Sequence, residues 1–79
     1  QRGELVADEM RLPVLARELE RYHDLNILIA DADVAAMTVS GVFLLDQPPE
    51  DLLRALELSL DLEARELDQG TVQLLKRAR

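Results

Sequence analysis

The sequence predicts a single α+β domain over residues 1–79, ordered β-α-β-β-α-β-β: two β-α-β units and a closing strand, with the two helices packed between small sheets. Three observations predict it. Short strand-like apolar runs alternate with two stretches of helical periodicity. The strand–helix–strand order of the first half recurs in the second. A chain of 79 residues is enough for one small domain and not for two.

Gly3 to Asp8 (GELVAD) is the first strand candidate and carries Leu5, Val6 and Ala7. Pro13 suits the first turn of a helix, where its missing N–H costs nothing. Leu12, Leu15, Ala16, Leu19 and Tyr22 then recur at spacings of three and four, an apolar stripe opposite Arg17, Glu18, Glu20 and Arg21. Asp24 closes that helix, and Asn26 to Ala30 (NILIA) is a nearly continuous apolar strand. Asp31 to Met37 is a connector with room for one helical turn. Thr38 to Leu45 is the next strand, in which Gly41 points to a bulge or a close backbone approach. Asp46 stands in the N-cap region, and the prolines start the second helix at Pro49. That helix runs to about Leu58, with Leu52, Leu53, Leu56 and Leu60 as its stripe.

Leu60, Leu62 and Ala64 alternate with Asp61, Glu63 and Arg65, a half-buried strand with a wet face. Asp68-Gln69-Gly70 is a hairpin turn with Gly70 free to take a positive φ. Thr71 to Leu75 returns as the last strand. The expected core is Leu15, Leu19, Tyr22, Phe43, Leu52, Leu56, Leu60 and Leu62.

The repeat is visible residue by residue. Leu15 to Asp31 laid over Leu52 to Asp68 matches Leu15/Leu52, Arg17/Arg54, Leu19/Leu56, Glu20/Glu57, Asp24/Asp61, Leu25/Leu62 and Asp31/Asp68. With a one-residue shift the preceding strands align too, Gly3 with Gly41 and Asp8 with Asp46. Two units related by a pseudo-twofold follow, because neither could bury its helix stripe alone.

Composition narrows the function. The formal charge is −7 at a pI near 4.5, so a nucleic acid or an anionic membrane would repel the surface. The basic residues cluster only in the terminal Lys76-Arg77-Ala78-Arg79. One Tyr, one Phe and no Trp provide no platform for stacking bases. The absence of cysteine excludes disulfides, thiolate metal sites and a cysteine nucleophile. No apolar stretch has the length of a membrane span. The chain begins at Gln1 and shows no signal peptide, and it reads as a piece of a longer protein.

Catalysis lacks a constellation. His23 is the only histidine, at a helix end, where the helix dipole alone accounts for it. Asp31 and Asp33 lack the glycine and the closing glutamate of a calcium loop. Ser40 and Ser59 lie in no nucleophile elbow. The three glycines are too scattered to cradle a phosphate. Carboxylate pairs such as Glu18/Glu20, Glu50/Asp51 and Glu63/Glu66 follow from sixteen acidic residues and form a charged outer face. The reading is an interaction module with no catalytic residue, cofactor or metal.

An open sheet can bind a partner strand at its edge. Charges at alternate positions protect Leu60 to Ala64, whereas Asn26–Ala30 and Thr71–Leu75 are lightly protected. Ile27, Ile29, Val72, Gln73 and Leu74 are therefore the candidate partner-binding residues, with a plain core role as the competing reading.

The segments RGELVADEM (Arg2 to Met10), LERY (Leu19 to Tyr22), the Ala30-Asp31 strand exit, and VSGVFLLD leading to DLLRAL carry a family resemblance. VSGVF (Val39 to Phe43) is the most specific. The chain resembles the C-terminal periplasmic region of FecR-type sigma regulators (anti-sigma factors), and its fold is similar to the secretin/TonB short N-terminal (STN) domain. The resemblance implies a non-enzymatic periplasmic segment of an inner-membrane protein. Its implied partner is the signalling domain of an outer-membrane TonB-dependent transporter, and the siderophore or iron signal would pass to an extracytoplasmic-function sigma factor. The sigma factor would be bound through other parts of the protein. The alternative in the same fold is the transporter's own signalling domain or a secretin N-domain. Those commonly carry Gly-Thr-Gly-Leu after the second helix, where this chain has Leu58-Ser59-Leu60-Asp61. A small ligand-binding or metal-sensing domain is a further class, for which the sequence shows no pocket signature.

Overall fold

The structure, a computed structural model, describes residues 3–77. Arg2 of the first family segment and Ala78 and Arg79 of the basic tail lie outside the described residues. The elements are β1 (Glu4–Arg11), α1 (Leu12–Tyr22), β2 (Asn26–Ile29), a one-turn α2 (Ala32–Ala35), β3 (Thr38–Leu44), α3 (Pro49–Ser59), β4 (Leu62–Asp68) and β5 (Thr71–Lys76). This is the α+β order read from the sequence, and the connector's helical turn is α2.

The strands of each unit lie in different sheets. β1 and β3 form an antiparallel two-stranded ribbon, and the other three strands form a sheet in the order β2-β5-β4. β2 runs parallel to β5 and β4 antiparallel to it. β2 and β4 therefore point in opposite directions on either side of β5, as a pseudo-twofold requires. The alignment that lays Gly3 over Gly41 also lays Leu5 over Phe43, and Leu5 and Phe43 face each other across the ribbon.

The one-residue shift in the repeat has a physical counterpart. β1 carries an extra residue between Ala7 and Met10, where the pairing slips. Glu9 takes a positive φ of 53° there, and its N–H donates to the Ser40 hydroxyl at 2.9 Å. The bulge expected at Gly41 thus belongs to β1, beside Gly41, which itself adopts φ 139°.

Proline sits in the first turn of both long helices. The N-cap of α3 is Pro48 without a side-chain cap, which corrects the expectation of Asp46. Both helices stop the same way. His23 and Leu60, equivalent in the repeat, turn extended, and their N–H groups donate to Leu19 and Leu56 carbonyls at 2.8 Å each. Leu60 is therefore a helix cap with a partly buried side chain, and β4 begins two residues later than the alternation suggested.

One core joins all layers. α1 contributes Leu12, Leu15, Ala16 and Leu19, and α3 contributes Leu52 and Leu56. Ile27, Leu62, Val72 and Leu74 come from the three-stranded sheet, Ala7 and Val39 from the ribbon, and Val34 from α2. Phe43 packs against this cluster partly buried. Tyr22 does not join it and is 44% exposed, a correction to the expected core. It is the last residue of α1, and its ring stacks on His23 at 5.3 Å and closes over Gly3.

Candidate partner-binding surface

Strand addition needs a free edge, and the sheet topology decides which strands have one. β5 has β2 on one side and β4 on the other, so it has no edge to offer. Val72 and Leu74 point into the core at 8% and 1% exposure, and Gln73 lies half-buried on the other face. Ile27 is also buried, and Ile29 packs partly buried against the core. The expected partner-binding set is corrected accordingly: Ile27, Val72 and Leu74 hold the sheet to the helices, because a central strand and its parallel neighbour are covered by the helix stripes.

The free edges belong to β2 and β4, and the preceding helix blunts each one. The Ile27 N–H donates to the Glu20 carboxylate at 2.7 Å, and the Ala64 N–H donates to the Glu57 carboxylate at 2.7 Å. A carboxylate on an edge N–H removes one rung that a partner strand would use. The Arg77 guanidinium adds bonds to the carbonyls of Glu57, Leu60 and Leu62, closing the end of α3. The shape of this corner is local in origin. A helix ending in an extended cap turns the chain back, so a glutamate in its last turn faces the strand that follows.

The ribbon is different. Val6 and Val42 face each other across it, 69% and 58% exposed, with Leu44 beside them at 46%. β1 and β3 each have one unpaired edge. Leu5, Ala7, Val39 and Phe43 occupy the inner face, and on the outer face Val6, Val42 and Leu44 form an apolar centre flanked by Glu4, Asp8 and Ser40. The sequence reading missed this surface because VSGVFLL carries apolar residues on both faces and no charge. Alternation, the signal that separates a wet face from a dry one, is absent there.

His23, Asp31 and Asp33 have structural partners. His23 Nε2 meets the Leu45 carbonyl at 2.6 Å and ties the end of α1 to the end of β3. Asp31 caps α2 by accepting from the Asp33 N–H at 3.2 Å, and it also accepts from the Lys76 N–H at 3.3 Å. Asp33 pairs with the Lys76 ammonium at 3.2 Å. Among the described residues, no group of three or more His, Cys, Asp or Glu side chains is placed to hold a metal ion.

Residues 4–74 match the protein family FecR, C-terminal. No curated protein matches the chain. Among solved structures, two crystal structures of a candidate anti-sigma factor from Parabacteroides distasonis ATCC 8503 share the fold, at 1.65 and 2.50 Å resolution. Their TM-scores are 0.83 and 0.82 at 19% identity, over 98% of this chain. The chain spans 35% of the length of those proteins. At that identity the likeness establishes the fold, while the family match runs from β1 into β5. The chain belongs to the FecR C-terminal family.

Proposed function

We propose that this domain is the periplasmic receiving module of a FecR-type sigma regulator, a single STN-like domain within a longer inner-membrane protein. Its partner is the signalling domain of an outer-membrane TonB-dependent transporter. The binding event relays a siderophore or iron signal toward an extracytoplasmic-function sigma factor held elsewhere on the regulator. The family match over residues 4–74 carries this reading.

The ribbon supports it physically. Val6, Val42 and Leu44 form the exposed apolar centre that a partner's sheet would cover, and the unpaired edges of β1 and β3 can extend that sheet. The edges of β2 and β4 are less suited, since Glu20 and Glu57 already occupy their N–H groups.

Calorimetric titration with the cognate transporter's signalling domain tests the proposal. Saturable binding that Val42→Glu weakens is the expected result. No heat and no complex at tens of micromolar would overturn it.

A further inference from the structure

We infer that the groove between α3 and the β4–β5 hairpin is a docking site for a short cationic segment of a partner protein, one that presents a small aliphatic side chain. The inference deepens the protein-interaction reading and does not depend on which protein is the partner.

The internal symmetry points to the groove. The pseudo-twofold exchanges α1 with α3 and β2 with β4, and leaves β5 in place. In the first unit, α2 follows β2 and closes the corner where α1, β2 and β5 meet. It does so with Val34, which is completely buried. In the second unit, β4 turns through Gln69 and Gly70 straight into β5, so among the described residues no element is the counterpart of α2. The corresponding corner is an open groove of two adjoining hollows, about 300 and 230 Å³, which share Glu50, Leu53, Glu66 and Val72. The plug is present in one half of the molecule and missing in the other.

The walls specify what would fill it. The floor is apolar, made by Leu25, Leu53, Ala64 and Val72. The rim is acidic, with Asp24, Glu50, Asp51 and Glu66, and Arg54 as the cation among the lining residues. Among the described residues none of these four carboxylates is in an ion pair. In the filled half the plug carries the acids, Asp31 and Asp33, and the wall carries the cation, Lys76. In the open half the wall is acidic, so charge complementarity requires the cations on the plug. Glu50 and Asp51 also occupy the first turn of α3, and their charge offsets the pull of that helix end on an anion.

The probe follows from α2 itself. It is the peptide Ala-Lys-Ala-Lys-Val-Ala-Ala-Met, the sequence of Ala30–Met37 with lysine at both aspartate positions. Titrated into the ¹⁵N-labelled chain, it should give saturable shifts at the amides of Leu53, Glu66, Gly70 and Val72. The Glu50→Lys, Glu66→Lys double variant, changed at two exposed positions, should keep the free spectrum and lose about tenfold or more in affinity. The unaltered Ala30–Met37 peptide should bind at least about tenfold more weakly than the lysine form. No shifts at millimolar peptide, shifts confined to the ribbon, or equal binding of both peptides would overturn the inference. Failure of the transporter titration leaves this result intact, and failure here leaves that one intact, since Val42 and the groove lie on different elements.

Discussion

The Glu20 carboxylate accepts a hydrogen bond from the Ile27 N–H seven residues later, at 2.7 Å, and the equivalent pair in the second unit, Glu57 and Ala64, repeats it at 2.7 Å. The match between Glu20 and Glu57 visible in the sequence is thus a match of structural role. Each glutamate fastens the end of a helix to the edge of the strand that follows.

Glu20→Ala should cost about 1.5–3 kcal/mol, the usual range when a partly buried charge-assisted bond to a backbone donor is lost. Glu20→Gln should cost less, because its amide oxygen can still accept. Urea denaturation of the two variants measures the difference. Glu20→Ala should also associate with rising concentration in sedimentation, because it uncovers an edge N–H.

Leu56→Ala should cost about 2–5 kcal/mol by opening a cavity between α3 and β4. Leu56 is 2% exposed, and a domain of this size has little stability in reserve. Leu58, two residues on, is 81% exposed, and Leu58→Ser should stay within about 0.5 kcal/mol. Equal costs in chemical denaturation would mean that the helix stripe is misplaced.

Gly3→Ala should cost about 1–2 kcal/mol from its left-handed backbone alone, since φ is +70°. An added Cβ would also lie 2.6 Å from the Tyr22 hydroxyl. A double-mutant cycle separates the two terms: Tyr22→Ala should remove the steric part and leave the backbone part. Strict additivity would show that the ring swings away freely.

His23→Ala should cost about 1 kcal/mol through the lost bond to Leu45. A carbonyl only accepts, so Nε2 bears the hydrogen in the neutral ring. Long-range ¹H–¹⁵N spectra report the tautomer directly, and a protonated Nδ1 with a bare Nε2 would contradict this contact.

The element order was legible because helix and strand periods differ. Leu12, Leu15, Ala16 and Leu19 sit at helical spacing, and all four are buried. Tyr22 continues that spacing but is exposed, with its ring against His23 and Gly3 and not in the core. The candidate site was much less legible. Ile27, Val72 and Leu74 were apolar and uncharged in sequence, which describes an edge awaiting a partner and a central strand equally well.

The sequence by itself determined the two-unit plan, the proline in the first turn of both long helices, the hairpin at Gly70 and the acidic, cysteine-free composition. These depend on neighbours along the chain, whose spacing and backbone preferences are local. Tertiary structure alone decided that β5 lies between β2 and β4, that Val6 meets Val42 in solvent, and that α2 fills one corner while its counterpart stays open. Strand order and the choice of exposed face come from contacts between residues far apart in sequence, and no local pattern records them.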